Sequence, residues 1–259
     1  MRENMRMMID ENASASLAMS LLTVTTTHVV LQAVLELGIL DIIKNVGPNS
    51  SVKESVAHLP SKNQDAAMMI DRMLQLLVSQ SVLTCTIKED PDGLIERRYG
   101  LAPVCKFFTK DEDGISLAPM VRICNRIIDT GCCSNELNDS ILEGGHPFKR
   151  AYGMPQFVYI AQNPTVSQKF NTTMASHSTI ITQKILSTYK GFEGLSSVVD
   201  VGGGNGATLK VILSKYPSIK GINFDLPHVV DVAPPCSAVE HVGGDMFESV
   251  PKGDALYLK

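Results

Sequence analysis

Apolar and polar positions divide the chain into two regions of different rhythm. From Ser16 to Lys44, "SLAMSLLTVTTTHVVLQAVLELGILDIIK" has too few polar residues to coat a solvent-facing side. A helix apolar nearly all round must be buried, here against a partner chain, and Gly38 marks a break into two helices. A short amphipathic helix follows in "SSVKESVAHLP", closed by Pro60. A longer one runs through "NQDAAMMIDRMLQLLVSQSVL", with its cap at Asn63 or Asp65. "LTCTIKEDPDGLIERRYGLAP" predicts two strands around a turn at Asp90-Pro91-Asp92-Gly93. Helix, helix, hairpin is the order of a winged helix. Residues 111–150 predict further helix with loops around "EGGHPF", and one long helical pattern extends from Asn163-Pro164 to Tyr189.

From Ser196 onward the rhythm changes. "SSVVDV", "IKGINFDL", "AVEHVGGD" and "ALYL" are short apolar runs with strand character, separated by the helical patterns "GATLKVILSKY" and "HVVDVA". Strands and helices alternating at such intervals predict a doubly wound parallel sheet. The division expected is a helical and winged-helix domain over 1–110 and a domain of helices plus α/β sheet over 111–259.

Charge removes one function that the first region suggests. The net charge is -4, from 23 basic and 27 acidic residues, which gives no electrostatic reason to expect nucleic acid or anionic membrane as a partner. The second helix of the winged arrangement carries Asp65, Asp71 and one arginine, Arg72, where a groove-reading helix needs several basic or amide donors. A packing or dimerisation role is expected instead. With 44% hydrophobic and 19% charged residues, the chain can bury a core. Its six cysteines (85, 105, 124, 132, 133 and 236) form no C-x-x-C pair and read as reduced thiols. "MRENMRMMIDENASAS" has no apolar core for a signal peptide, and no later run of purely apolar residues approaches ~18. A soluble cytoplasmic protein is expected.

The strongest local signal is Asp200-Val201-Gly202-Gly203-Gly204-Asn205-Gly206, directly after a strand and opening a helix. Glycines there let the backbone turn tightly and let a ligand approach without a Cβ in the way. Asp225, nineteen positions after Gly206 at the end of the next strand, can accept both hydroxyls of an adenosine ribose. Two cofactors suit this frame. G-x-G-x-x-A at 202, 204 and 207 suits a nicotinamide dinucleotide, and D-x-G-x-G-x-G at 200, 202, 204 and 206 suits S-adenosylmethionine. The second is favoured by Gly243-Gly244-Asp245-Met246-Phe247, where a carboxylate for an adenine amino group stands beside an apolar pair to sandwich the ring.

Together with "GGHPFKRAYGM" (144–154), "FNTTMASHST" (170–179), "VVDVGGGNGA" (198–207), "INFDLPHVV" (222–230) and "VEHVGGDMF" (239–247), these features resemble the plant small-molecule O-methyltransferases, most closely the caffeic acid type. "YGLAPVCKFFTKDEDGISLAP" (99–119) and the helical N-terminal region fit as well. The resemblance covers nearly the whole chain. It implies a Rossmann-like methyltransferase domain, preceded by an all-helical and winged-helix dimerisation domain. It also implies S-adenosyl-L-methionine as cofactor, a phenylpropanoid phenol as substrate, a homodimer and no metal. The cofactor contacts so implied are Gly202, Asp225, Leu226, Asp245, Met246 and Lys259, and the substrate wall is Phe170, Met174 and His177. The last three fall at i, i+4 and i+7, on one helix face whatever the family.

In the family, the base that deprotonates the phenol is a histidine shortly after the strand beginning at Ala255. None of the six histidines (28, 58, 146, 177, 228 and 241) matches that position. The resemblance therefore implies a sheet truncated after about four of some six strands, with an open apolar edge and the base beyond Lys259. A non-catalytic partner that pairs with full-length enzymes through residues 16–44 is the alternative, and a nicotinamide oxidoreductase is a third. Arg122 and Arg126 stand where relatives are more apolar and usually carry a tryptophan, a residue this chain lacks, so the substrate is open at that point.

Overall fold

The computed structural model describes residues 11–89, 93–126 and 130–259. The turn expected at 90–92 lies outside the described residues, as do the side chains of Arg126, Cys124, Cys132 and Cys133. Two compact units are present, Met1–Thr109 and Lys110–Lys259.

In the first unit, α1 (Glu11–Glu36) and α2 (Ile39–Val46) are separated at Gly38, whose φ of 70° lies in the left-handed region open to glycine. α2 buries Ile39, Leu40 and Ile43. The two-residue strand β1 (Ser50–Ser51) leads into α3 (Val52–Ala57) through a capping box. Glu54 N donates to Ser51 Oγ at 3.2 Å, and Ser51 N donates to Glu54 Oε2 at 2.6 Å. α4 (Ala66–Ser79) buries Ala66, Ile70, Leu74 and Leu77, one helical face. Asp65 is its N-cap residue without a side-chain cap bond. It is Asn63 whose Oδ1 accepts from Asp65 N, at 3.0 Å.

β2 (Leu83–Glu89) and β3 (Ile95–Leu101) pair antiparallel from Leu83 opposite Leu101 to Glu89 opposite Ile95, and β1 adds to the free side of β3. Tyr99 on β3 is buried, and its hydroxyl donates to Asp71 Oδ1 on α4 at 2.7 Å. Arg97 pairs with Asp71 Oδ2 at 2.8 Å. Arg98 pairs with Glu54 and Glu96 at 3.3 and 2.6 Å. The order is helix, helix, hairpin, as the sequence predicts.

α1 departs from the expectation of burial all round. Leu31, Val34 and Leu35 near its end are buried, whereas Leu17, Met19, Leu21, Leu22 and Val24 are 56–76% exposed. Ser14–Glu36 is also long and apolar enough to cross a membrane by length and composition, with mean hydropathy 1.5. This corrects the expectation that nothing in the sequence approaches such a length. The threonines at 23 and 25–27 interrupt the apolar run without lowering its average far enough.

The second unit begins with α5 (Ala118–Arg126), α6 (Thr130–Glu143), α7 (Pro147–Tyr152), α8 (Gln156–Gln162) and α9 (Pro164–Leu186). Arg150 of α7 binds Glu136 and Glu143 on α6, both at 3.0 Å. Phe148 stacks on Tyr152 with ring centroids 4.5 Å apart, and both meet Tyr159, edge-on and tilted, at 5.7 and 5.3 Å, which joins α7 to α8. Next come β4 (Ser197–Val201), α10 (Ala207–Lys215), β5 (Lys220–Asp225), α11 (Pro227–Val230), β6 (Val239–Gly243) and β7 (Ala255–Leu258).

The four strands are parallel in the order β6-β5-β4-β7, so β4 lies inside the sheet. One side of the sheet packs Val198 and Val239 against Leu209, Ile212 and Leu213 of α10 and Leu186 of α9. Val199, Val201, Ile222 and Phe224 form the opposite core. Each aliphatic side chain so buried contributes ~1.5–3 kcal/mol. Asp254 sets the start of β7 against β4, accepting from Ser196 N and Ser197 N at 2.7 and 2.9 Å. Ala255 and Tyr257 of β7 join the first core, while Leu256 and Leu258 on its other face are 52% and 66% exposed.

Candidate active site

β4 ends in the glycine loop. Gly202, Gly204 and Gly206 have φ of 73°, 59° and 78°, values at which a side chain would be strained. Gly203 is required for a different reason. A Cβ there would overlap Oδ1 of Asn223 and lie 2.6 Å from Oδ2 of Asp200. Above Gly202 the space is open, with nothing within 4 Å of where a Cβ would point.

Asp225, half-buried at the end of β5, braces this loop. Its Oδ2 accepts from Gly204 N at 2.8 Å and its Oδ1 from Leu226 N at 2.7 Å. Its backbone carbonyl accepts from Gly244 N at 3.0 Å, which ties the segment after β6 to the same place. In that segment Asp245 Oδ1 accepts from Phe247 N at 2.9 Å, and Met246 and Phe247 are 47% and 87% exposed. Gly202, Asp225, Leu226, Asp245 and Met246 thus stand together along the C-terminal ends of β4, β5 and β6, where doubly wound sheets bind ligands.

Phe170, Met174 and His177 share a half-buried face of α9. The fully buried positions of this helix are Thr173, Thr182 and Leu186, so the stripe of three is not its core-facing side. Phe170 meets Phe157 of α8 edge to face, with centroids 6.3 Å apart. Lys259, after β7, donates to Nδ1 of His177 at 3.1 Å and to Oγ of Ser178 at 2.6 Å. Burial and the neighbouring Lys259 charge hold the His177 imidazole below its ordinary pKa, and burial lowers the Lys259 ammonium.

Three participants were outside the sequence reading of the site: Ser178, Asn223 and His241 as a partner of Asn223. The one signal for Asn223 is a polar residue between the apolar Ile222 and Phe224 of a core strand. Arg122 is exposed on α5. No group of three or more His, Cys, Asp or Glu able to hold a metal occurs among the described residues.

Comparison with known proteins adds to this geometry. A family model described as the O-methyltransferase domain matches residues 134–259, and one described as the O-methyltransferase dimerisation domain matches residues 19–111. The chain is 53% identical to a caffeic acid 3-O-methyltransferase of Catharanthus roseus, over 99% of this chain and 71% of that one. It is 52% identical to caffeic acid 3-O-methyltransferase 1 of Populus tremuloides, over 93% of this chain and 67% of the relative. Among solved structures, human N-acetylserotonin methyltransferase in complex with S-adenosylmethionine superposes with a TM-score of 0.74. That match has 20% identity and covers 96% of this chain and 71% of the human one. This last likeness is one of fold.

Proposed function

The chain belongs to the O-methyltransferases that use S-adenosyl-L-methionine, and from that premise we propose that its second unit presents this cofactor to a phenolic hydroxyl of a phenylpropanoid such as caffeic acid. The observation carrying the proposal is Asp225, a half-buried carboxylate held under an open glycine loop by two backbone N–H groups. Each of its oxygens keeps a lone pair, enough to accept from one ribose hydroxyl apiece. Gly202 leaves room above the loop, Leu226 and Met246 offer apolar surface to the adenine, and Asp245 accepts from its amino group. Lys259 is the sixth contact. When bound, the cofactor supplies an electrophilic methyl group on a positively charged sulfur.

Phe170, Met174 and His177 form the wall for the phenolic ring. A phenol has a pKa of ~10 and needs a base to become a good nucleophile at neutral pH. Among the histidines at hand, His228 and His241 lie beside the cofactor segments, and His177 is held by a lysine. We further propose that the first unit forms a homodimer through the exposed leucines of α1. That surface also suits the second reading, a chain that pairs with catalytically complete relatives and turns nothing over.

Calorimetric titration with S-adenosylhomocysteine tests the cofactor site. Micromolar binding that Asp225→Ala weakens at least tenfold is expected, and equal affinity in the variant removes Asp225 from the ribose role. Incubation of the folded chain with S-adenosylmethionine and caffeic acid separates the two readings. A methylated product supports the transferase, and a folded dimer that yields none favours the pairing role.

A further inference from the structure

Strand register puts four polar side chains in one row across the second unit's sheet. His241 stands opposite Asn223, Asn223 opposite Asp200, and Asp200 opposite Tyr257. Paired positions of parallel strands direct their side chains to the same face, here the face covered by α9 and α10. Asn223 is completely buried and Asp200 is 2% exposed. The two hydrogens of the Asn223 amide go to the Gly204 carbonyl, at 2.9 Å, and to Nδ1 of His241, at 3.0 Å. His241 therefore accepts on Nδ1 and keeps its hydrogen on Nε2.

The remaining atoms of the row do not balance as they stand. Nε2 of His241 is buried without an acceptor, and Oδ1 of Asn223 and Oδ2 of Asp200 are buried without a donor; the two oxygens face the same space, both within 2.6 Å of where a Gly203 Cβ would stand. Two buried acceptors facing one space are unfavourable unless a donor reaches them, and a proton on Asp200 supplies one. We propose that Asp200 carries a proton in the native chain at neutral pH and below, donates it to Asn223, and through Asn223 positions the Gly204 carbonyl and with it the loop that receives the adenosyl group. Gly204 is then held at both ends, its carbonyl by Asn223 and its N–H by Asp225. Loss of the proton would set a carboxylate against the amide oxygen and loosen the loop. Asp200, Asn223 and His241 are positioning residues, and the proposal rests on the cofactor role given above to this loop.

The surroundings of Asp200 favour its neutral form. Burial pushes its carboxyl up to about 7; Lys259 on the β7 side pulls it down, Asp225 on β5 pushes it up, and a bond from Thr208 on α10 pulls it down. Tyr257 on β7 and His241 on β6 complete the row. From α9, Thr182 faces Tyr257, and His177 faces Lys259.

The test is calorimetric titration of the 259-residue chain and of Asp200→Asn with S-adenosylhomocysteine from pH 6 to 9. In the unsubstituted chain, affinity is expected to fall above about pH 7, by up to tenfold per unit. The asparagine still offers a donor to Asn223 and cannot ionise, so Asp200→Asn should bind within about threefold at pH 6 and lose the alkaline fall. An affinity independent of pH in the unsubstituted chain, or an equal fall in Asp200→Asn, overturns this proposal alone. Absence of binding at every pH overturns the cofactor site and this proposal together. If Asp200→Asn does not fold, infrared spectra of the unsubstituted chain decide. A protonated-carboxyl band present at pH 6 and gone by pH 9 supports the proposal, and its absence at pH 6 overturns it.

Discussion

Lys259 donates to Nδ1 of His177 across 3.1 Å, so a side chain proposed to meet the cofactor directly holds one proposed to meet the substrate. A lysine ammonium can only donate, which fixes the ring hydrogen on Nε2, the nitrogen left for other partners.

Replacing Lys259 by methionine keeps most of the stem and removes the charge. The His177 ring should then titrate closer to its ordinary value of 6.5, because one of the two causes that lower it is gone. The native state resists a proton that the unfolded chain accepts. The resulting stability is present above pH 6.5 and is lost as pH falls through the folded value, less steeply in Lys259→Met. Following the ring protons by NMR against pH checks this, and an identical titration in the variant would refute the contact.

Asp200→Asn should change stability in the opposite direction. Its folded pKa of about 7 lies above the 3.8 of the free carboxyl, so the native state keeps a proton that the unfolded chain releases between those values. Stability therefore falls as pH rises through that window. An asparagine has no proton to lose and should be more stable than aspartate at pH 8, by about 4 kcal/mol at ~1.4 kcal/mol per unit. The gap should close near pH 4, as denaturant melts at the two pH values will show.

Gly203→Ala is expected to destabilise the second unit by roughly 1–3 kcal/mol, through overlap with two fully buried side chains rather than through φ. Gly202→Ala should cost about 1–2 kcal/mol for the opposite reason, since its φ of 73° is strained for alanine although the space is open. Thermal unfolding gives the stability cost. A double variant with Asn223→Ala separates the two causes, because it should relieve part of the cost of Gly203→Ala, the clash with Asp200 remaining, and leave that of Gly202→Ala unchanged.

Leu17 and Leu22, 56% and 76% exposed on α1, should be covered in a homodimer. Changing both to glutamate is expected to halve the mass seen in sedimentation equilibrium and leave the monomer folded. An unchanged mass would exclude this stretch of α1 from the interface.

What the sequence makes legible follows the range of the interactions involved. α9 and the strand-helix alternation after Ser196 are local periodicities, and the break at Gly38 is a property of one residue. The glycine loop and Asp225 are legible because a motif records a turn and the carboxylate beneath it. The 3-10 turn Pro103–Phe107, the short α8 and the two-residue β1 are hidden because each is briefer than the period that would reveal it. The row from His241 to Tyr257 is hidden for another reason. It exists only once strand order and register bring residues from four strands abreast. The contact between Lys259 and His177 spans 82 positions and leaves no local trace.

The first unit shows how a recognition fold is turned inward. Arg97 and Arg98, the two adjacent cations of its hairpin, are already committed to Asp71, Glu54 and Glu96, and Tyr99 fastens the same hairpin to the flank of α4. A wing that would otherwise reach for a phosphodiester backbone serves here as a clasp, closing on the helix beside it.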